Sequence, residues 1–356
     1  MKNWLLPLLI LSLGLVGLVT LSSVSPELMQ RQLLFFILGS GVFWFVSQVP
    51  TKQWWQWGEW LWKGLVILLI GLLIFGRVTR GTMAWIDLGW GLRFQPSQFA
   101  LLVMMLVVIP RFSKTRILKE TEIVKFLILL FIPLLLILLQ PDFGTGFLYL
   151  VSALPLFVWQ KIPKQYWRWI WLILIMVVVV GWTLILKPYQ KLRITSFVAG
   201  NQTDQDGAGY NARQALIAVG AGQLTGRGLG YGSQSQLRFL PERQTDFIFA
   251  SFAEEWGLLG SLIIITLYAT LIFFLIQQVS RTNHIRQALF LLVTAAHFLS
   301  QILVNIGMNI GLLPITGITL PLVSYGGSSL VATLILLGIA QRIIWQARNR
   351  AYLHIS

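Results

Sequence analysis

Apolar residues along this chain of 356 residues gather into long runs separated by short polar stretches. A helix that crosses a bilayer needs about 20 mostly apolar residues, because in hydrocarbon its backbone must satisfy its own hydrogen bonds. Such runs recur from one end of the chain to the other, so the pattern predicts about ten membrane-spanning helices. They are expected at Trp4–Leu21, Leu33–Val49, Leu61–Phe75, Pro96–Ile109, Val124–Leu139, Thr145–Val158, Trp169–Leu186, Phe247–Gln277, Leu289–Met308 and Ser328–Trp345.

The composition agrees with this pattern. Apolar and aromatic residues make up 56% of the chain and charged residues only 11%, which excludes an ordinary soluble globular domain. The absence of cysteine excludes a disulfide scaffold, a zinc ribbon, an iron–sulfur protein and a thiol nucleophile. The predicted fold class is therefore an all-α polytopic membrane protein, one domain over residues 1–356.

The net charge of +15 follows from where the basic residues lie. Most lysines and arginines fall in one set of alternate connections, and the short connections of the opposite set carry only Arg31, Arg77, Arg80 and Arg93. The positive-inside rule then places both termini in the cytoplasm. Because this asymmetry accounts for most of the charge, no nucleic-acid partner is expected.

One connection, between helices 7 and 8, is far longer than the others. This large extracytoplasmic loop, residues 187–246, exceeds ordinary connection lengths, which indicates a functional or a disordered segment. It contains enough apolar residues to pack on the membrane face, so we expect it to be ordered. The pattern predicts a helix over 210–220 and a glycine-rich turn region over 222–232.

Asp246 ends this loop, directly before the apolar run that begins at Phe247. A carboxylate at the boundary between water and hydrocarbon is partly desolvated and can act as a general base. Position alone also fits, and slightly favours, a second interpretation, in which Thr245 or Asp246 only caps the eighth helix. Glu254 and Glu255, further along the same helix, are either a proton or cation site or a structural anchor.

Two broken segments are expected on the same face as this loop. Residues 140–145 interrupt two apolar runs, which is tolerated only where backbone lines a cavity or is buried in protein. Asp142 is there either a ligand for a cation or sugar hydroxyl, or the cap of a tight turn. The second segment, residues 313–327, is rich in proline and glycine and offers Ser324 and Tyr325 as polar contacts.

The glycine-rich stretch 226–232 lacks the Lys-Ser/Thr ending of a nucleotide-binding P-loop and does not follow a strand. Its backbone N–H groups, together with Lys191, Arg193 and Arg227, are candidates for holding a diphosphate. The alternative is a flexible linker with solvated charges. His284, His297 and His354 show no ligand spacing, so no histidine metal site is expected.

Several motifs together resemble one family, the SEDS proteins of shape, elongation, division and sporulation. The similarity runs through nearly the whole chain in the same order, and the details around Asn211 and Ser233–Leu237 resemble the RodA branch more than the FtsW branch. The matching stretches are residues 140–145 (QPDFGT), 193–197 (RITSF), 209–211 (GYN), 228–234 (GLGYGSQ), 239–250 (FLPERQTDFIFA) and 321–328 (PLVSYGGS).

The resemblance implies a peptidoglycan glycosyltransferase that polymerises lipid II on the outer face of the bacterial cytoplasmic membrane during cell elongation. It implies a class B penicillin-binding protein as transpeptidase partner, and it assigns catalysis to Asp246 as general base. Gln234 and Glu242 lie in the matched motifs and are further candidate substrate contacts. Lys191, Arg193, Arg227 and a divalent cation, Mg²⁺ or Mn²⁺, are candidates to stabilise the departing diphosphate.

The chain departs from the family pattern at three positions. Ala84 stands where an arginine is common, and Gln98 and Leu101 replace a common glutamate and lysine. Losing both members of an i, i+3 pair leaves no stranded charge in low dielectric. Two alternatives to a polymerase stay open. One is a lipid II transporter (flippase), because broken helices with buried carboxylates also suit transport. The other is a catalytically silent cell-wall scaffold, which the three replaced residues would fit.

Overall fold

The computed structural model describes residues 4–76, 82–89, 92–113, 119–160, 163–198, 207–237 and 239–353, which are mostly helical. A 3₁₀ turn over Pro96–Phe99 leads into α4, and a π-helical segment over Gly181–Ile185 follows α7. The helices are α1 (Leu5–Val24), α2 (Pro26–Gln48), α3 (Thr51–Phe75), α4 (Ala100–Phe112), α5 (Glu120–Leu139), α6 (Phe143–Trp159), α7 (Lys164–Val180), α8 (Pro188–Val198), α9 (Ala208–Ala221), α10 (Ser233–Gln236), α11 (Ile248–Arg281), α12 (Ile285–Asn309) and α13 (Gly327–Leu353).

Each predicted apolar run coincides with one of the long helices, α1 to α7 and α11 to α13. Within the described residues, seven helices are long and apolar enough to cross a membrane, and Pro96–Phe112 and Phe143–Trp159 are shorter apolar helices. A small hairpin pairs β1 (Ile86–Asp87) antiparallel with β2 (Arg93–Phe94). The all-α fold class is confirmed.

Helix boundaries differ from the predicted runs where polar or aromatic residues extend a helix beyond its apolar part. α3 begins at Thr51 and takes in the tryptophan-rich stretch before Leu61, and α2 begins at Pro26 rather than Leu33. The eighth run is not a regular helix throughout, because Gly257 interrupts α11 with φ +67° and ψ −163°. A hydropathy pattern does not register such a break, since the flanking residues stay apolar.

The long connection before α11 folds into short helices. α9 confirms the helix predicted over 210–220, and α8 packs against it. Residues 222–232 form turns, with positive φ at Gly226, Gly228 and Gly230. Glycine is the residue that adopts this conformation at least cost.

Contacts divide the chain into two compact units made of discontinuous segments. The first unit consists of Met1–Ser40, Pro188–Phe274 and Phe298–Thr333, so the long connection belongs to it together with parts of several helices. Its core includes a face of α9 with small side chains, packed against residues on both sides of Asp246. This cluster comprises Ala212, Ala215, Ala218, Leu240, Phe247, Ala250 and Ile315.

The second unit consists of Gly41–Lys187, Leu275–His297 and Leu334–Ser356. Phe126 makes edge-to-face contacts with Phe112 and Phe157, each at 5.4 Å between ring centroids. Buried polar groups join its helices, since Gln140 Nε2 donates to the Leu69 carbonyl at 3.0 Å and Tyr149 donates to the Leu130 carbonyl at 3.0 Å. The single domain predicted over 1–356 stays a prediction.

Candidate functional site

Asp246 lies in a tight turn that precedes α11. The Glu242 carbonyl accepts hydrogen bonds from the N–H groups of Thr245, Asp246 and Phe247, at 3.1, 3.1 and 3.3 Å. Glu242 has φ +48°, a left-handed conformation that a non-glycine residue keeps only where its surroundings enforce it. Leu240 and Phe247 anchor both ends of the turn in the α9 cluster.

The backbone carbonyl of Asp246 is held by two asparagines of α12. Nδ2 of Asn305 donates to it at 3.0 Å and Nδ2 of Asn309 at 3.1 Å. Both asparagines are completely buried. Asn305 Nδ2 also donates to the Ile318 carbonyl at 2.7 Å, which links Asp246 to the segment that follows α12. Neither asparagine was predicted as a site residue, although they lie one helical turn apart, Asn305 inside the predicted apolar run Leu289–Met308 and Asn309 directly after it.

The Asp246 carboxylate is half-buried and faces Gly317. A Cβ atom at position 317 would lie 3.5 Å from Asp246 Oδ2, and Gly317 has φ +75°. Gly317 itself is exposed. The carboxylate therefore lies beside a residue of the broken segment that has no side chain. This arrangement leaves room for a hydroxyl group to approach it.

The residues on either side of Asp246 are also bonded to this broken segment. Ser324 Oγ donates to the Thr245 carbonyl at 2.6 Å and accepts from the Leu320 N–H at 2.8 Å. The Tyr325 N–H donates to the Gln244 carbonyl at 2.9 Å. Ser324 is buried, and its hydroxyl bonds backbone groups next to Asp246 and within the broken segment. Tyr325 is half-buried. The structure thus brings Asp246, Ser324 and Tyr325 together.

Gln32 of α2 completes the contacts of this segment. Its Nε2 donates to the Ser324 carbonyl at 3.1 Å, and its Oε1 accepts from the Gly326 N–H at 3.2 Å. The side chain is 2% exposed. A buried glutamine in an apolar helix that satisfies both a donor and an acceptor of one loop fixes the position of that loop.

Glu254 anchors α10 and with it the predicted site residue Gln234. Its Oε1 accepts from the Gln234 N–H at 2.8 Å, and its Oε2 accepts from the N–H and the Oγ of Ser235 at 3.0 and 2.6 Å. The Gln234 carbonyl in turn accepts from the Leu240 N–H, at the start of the Asp246 turn. Among the two interpretations of Glu254, these contacts favour the structural anchor.

Glu255 and the glycine-rich turns fill the break in α11. The Arg227 and Gly228 N–H groups donate to the carbonyls of Glu254 and Glu255, each at 3.0 Å. Glu255 Oε1 accepts from the Gly230 N–H at 3.2 Å and from Ser23 Oγ. The N–H groups of Arg227, Gly228 and Gly230 are therefore occupied within the protein, which leaves these three unavailable to a phosphate.

The predicted cations belong to the same unit as Asp246. Lys191 and Arg193 lie half-buried on α8. Arg227 is exposed, and its Nε donates to the Ala221 carbonyl at 3.1 Å, at the end of α9. Glu242 is half-buried, and its Oε2 accepts from Thr245 Oγ1 at 3.0 Å.

Asp142 lies in the second unit, where it caps α6. Its Oδ1 accepts from the Thr145 N–H at 3.2 Å, and its Oδ2 accepts from Gln95 Nε2 and Ser97 Oγ at 2.8 and 3.3 Å. Burial raises the pKa of the Asp142 carboxyl above its usual range, although these hydrogen bonds oppose the shift. The cap, which the sequence offered as one of two interpretations, is present.

The three departures from the family pattern also fall in the second unit. Ala84 and Leu101 are buried, and Gln98 Nε2 donates to Gln95 Oε1 at 3.2 Å. Neutral side chains thus occupy these places, and the chain of amides from Gln98 through Gln95 reaches Asp142. Within the described residues, no group of three or more His, Asp or Glu side chains is placed to hold a metal ion.

Comparison with known proteins gives a consistent result. A family model named for FtsW, RodA and SpoVE, described as a cell cycle protein, matches residues 2–349. The chain is similar to peptidoglycan glycosyltransferase MrdB of Escherichia coli (strain K12), with 36% identity covering 94% of this chain and 91% of the relative. It is also similar to a probable peptidoglycan glycosyltransferase FtsW of Thiomicrospira cyclica, with 35% identity covering 96% and 92%.

Solved structures show the same fold. The chain is similar to the rod shape determining protein RodA of Thermus thermophilus, with a TM-score of 0.69, 28% identity and 97% of each chain covered. It is also similar to a chain from a peptidoglycan synthase complex described as coordinating polymerization and crosslinking, with a TM-score of 0.80, 28% identity, and 97% and 98% covered. The chain therefore belongs to the FtsW, RodA and SpoVE family of multi-pass membrane proteins.

Proposed function

We propose that this protein is a peptidoglycan glycosyltransferase that polymerises lipid II into glycan strands during cell elongation. The relatives named for this activity cover nearly the whole chain. The observation that carries the proposal is the geometry of Asp246, whose half-buried carboxylate faces the exposed backbone of Gly317 while buried side chains hold its main chain.

Asp246 is the proposed general base. The 4-hydroxyl oxygen of the acceptor GlcNAc attacks the anomeric carbon of the donor and forms the new glycosidic bond. The bond from that carbon to the lipid-linked diphosphate breaks, and the diphosphate leaves with the electron pair. The hydroxyl proton passes to Asp246. A single displacement of this kind inverts the anomeric configuration.

Positive charge is needed where the diphosphate departs. Lys191, Arg193 and Arg227 are the proposed sources, and a divalent cation, Mg²⁺ or Mn²⁺, stays a prediction for the same role. Magnesium is usually held by one or two carboxylates together with substrate phosphates rather than by a cage of protein ligands. Gln234, Glu242, Asp142, Ser324 and Tyr325 stay predicted substrate contacts.

The proposed setting is the bacterial cytoplasmic membrane, with both termini in the cytoplasm and the segment 187–246 outside. The chain contains no cysteine, so single cysteines can be introduced on an otherwise unreactive background. Thr225 and Ser280 are both exposed, and the proposed topology puts Thr225 outside the membrane and Ser280 on its cytoplasmic side. A membrane-impermeant maleimide should label Thr225→Cys in intact cells and Ser280→Cys only after permeabilisation, and the reverse pattern would overturn the orientation.

A class B penicillin-binding protein is the proposed partner and would crosslink the strands. The assay combines purified protein, this partner and labelled lipid II, and compares the wild type with Asp246→Asn. Asp87→Asn is a matched control, because Asp87 is exposed and, among the described residues, its carboxylate accepts only from the Gly89 N–H. Glycan strands from the wild type and the control but not from Asp246→Asn support the proposal.

The same assay separates the alternatives. Strands from Asp246→Asn at the wild-type rate would remove Asp246 as the base. Strands from neither protein would favour a scaffold that acts without catalysis. Movement of lipid II across vesicle membranes that survives the Asp246→Asn substitution, without polymerisation, would favour a transporter.

A further inference from the structure

The hydrogen bond that would extend α11 by one residue at its N-terminus is replaced by a side chain. In an α-helix the carbonyl of residue i accepts from the N–H of residue i+4, which here pairs Asp246 with Ala250. Instead, the Ala250 N–H donates to Asn309 Oδ1 at 3.0 Å, and Asn309 Nδ2 donates to the Asp246 carbonyl at 3.1 Å. The Asn309 amide therefore bridges the two backbone groups.

This insertion keeps Asp246 out of the helix. The regular pattern starts one residue later, where the Ser251 N–H donates to the Phe247 carbonyl at 3.1 Å. Because the Asn309 amide lies between the Asp246 carbonyl and the Ala250 N–H, residue 246 does not join the helix. It stays in the turn that begins at Glu242. Its carboxylate then faces Gly317 rather than lying along the side of α11.

Asn305 adds a second constraint in the same place. Its two N–H donors are shared between the carbonyls of Asp246 and Ile318, at 3.0 and 2.7 Å. Ile318 directly follows Gly317, so one amide sets the spacing between the main chain of Asp246 and the backbone that its carboxylate faces. The second donor of Asn309 Nδ2 is taken by the Asn305 carbonyl at 2.8 Å.

The pair is well suited to hold a fixed distance. Asn305 and Asn309 are four residues apart, so they lie on one face of α12, and both are completely buried. Each Nδ2 has two N–H groups, and each bonds two carbonyls, so neither amide can rotate without losing bonds in a buried site. The remaining Asn309 Oδ1 is also occupied, by Ala250.

We propose that Asn305 and Asn309 are positioning residues for the glycosyl transfer, and this inference rests on the proposed role of Asp246 as general base. Neither side chain touches the substrate. They act through the main chain of Asp246, which they hold outside α11 so that the carboxylate meets the incoming hydroxyl beside Gly317. A base displaced by about 1 Å loses on the order of 100-fold in rate.

The test separates positioning from a purely structural role. Asn305→Leu and Asn309→Leu replace each amide by an apolar group of similar size, and Gln301→Met is the matched control. Gln301 lies one turn before Asn305 on α12 and is 4% exposed, and its Nε2 donates to the Thr319 carbonyl at 3.0 Å. It thus binds the same broken segment, but its observed hydrogen bond goes to Thr319 and not to Asp246.

We expect Asn305→Leu and Asn309→Leu to lower kcat by about 10- to 100-fold, with KM for lipid II within about twofold of the wild type. Gln301→Met should keep kcat within about twofold, although it also removes a buried hydrogen bond. If the asparagines only stabilise the fold, the folded fraction of every variant will instead keep the wild-type kcat, and the inference is overturned. Size-exclusion chromatography in detergent measures the folded fraction.

Two further arms keep the outcome decisive. Should the leucine variants fail to fold, Asn305→Ser and Asn309→Ser keep a hydroxyl donor in a shorter side chain, and the same fall in kcat on the folded fraction is expected. Asp246→Asn is measured beside them. If Asp246→Asn is inactive and the asparagine variants keep kcat, only this inference fails. If Asp246→Asn remains active, the proposed base fails, and this inference fails with it.

Discussion

The carboxylate of Asp246 lies against the backbone of Gly317, where a Cβ atom would come within 3.5 Å of Oδ2. Two properties of glycine are used at this position. Its φ of +75° is costly for any other residue, and the missing side chain keeps the space beside the carboxylate open. The broken segment after α12 therefore contributes to the site through its backbone rather than through a charged group.

Gly317→Ala should reduce polymerisation more than it reduces stability. A methyl group beside Oδ2 obstructs the incoming hydroxyl, and we expect kcat to fall by at least about 10-fold. Gly311→Ala is the control, since Gly311 has a similar φ of +73° but the atoms nearest to its Cβ would be those of the Leu216 side chain. Both variants should lose about 1 kcal/mol of stability. Equal activity of the two variants would contradict the prediction.

Ser324→Ala should destabilise the protein by about 1–3 kcal/mol, because it leaves the buried Thr245 carbonyl and the Leu320 N–H without the Ser324 hydroxyl. The comparison is Ser329→Ala, which removes a longer hydrogen bond to the Gly326 carbonyl, 3.3 Å, from a half-buried position. Thermal unfolding in detergent should show a clearly larger loss for Ser324→Ala. A similar loss for both would mean that the Ser324 bridge contributes little.

Glu254→Gln and Glu255→Gln should differ although the residues are adjacent. Both oxygens of Glu254 accept hydrogen bonds, so an amide NH₂ group in either orientation faces a donor and loses that bond. Glu255 uses only Oε1 within the described residues, and its Oε2 has no partner there. We expect Glu254→Gln to loosen α10, detected as faster limited proteolysis between 222 and 237, and Glu255→Gln to resemble the wild type.

Asp142 should make stability depend on pH. Burial raises the pKa of this carboxyl in the folded protein above its value in the unfolded chain, which is about 3.9. Between the two pKa values the folded state binds more protons than the unfolded state. The contribution of Asp142 to the free energy of unfolding is therefore fully present below the unfolded pKa and is lost as pH rises through the folded pKa. Above both values the loss is complete and constant.

The measurement for Asp142 is the difference in unfolding midpoint between the wild type and Asp142→Asn over a series of pH values. The advantage of the wild type should shrink as pH rises from about 4, because asparagine does not titrate in this range. Asn is also a good N-cap, so the cap of α6 should persist in the variant. A difference that grows as pH rises would contradict the prediction.

Much of the helical framework could be predicted because each membrane-crossing helix is determined by interactions between residues close together in the chain. A run of apolar residues in lipid must pair its own backbone groups, and the pattern shows where that happens. The helix α9 was predicted in the same way, from its periodicity, and its alanine face packs on Leu240 and Phe247. The boundaries of α2 and α3 were less accurate, because polar and tryptophan-rich turns continue these helices beyond their apolar cores.

The candidate site was only partly accessible from the sequence. Asp246 stood out by its position at the end of a polar loop. The partners that hold it did not, since Asn305 and Asn309 lie 59 and 63 residues away in the chain, at the end of an apolar run. Gln32, directly before the second predicted run, is likewise remote from its partner, 292 residues from Ser324. A buried amide in such a run indicates a polar contact, but the sequence does not say with which backbone group.

By itself, the sequence determined that this protein is a bundle of apolar helices with one long polar connection, because hydrophobic patterning and backbone pairing act over a few residues at a time. The tertiary structure decided where Asp246 points and which N–H groups of the glycine-rich turns are bonded within the protein. The first depends on an amide from α12 that replaces a helical hydrogen bond. The second depends on the break in α11 at Gly257, where α11 carbonyls accept hydrogen bonds from N–H groups of the turns.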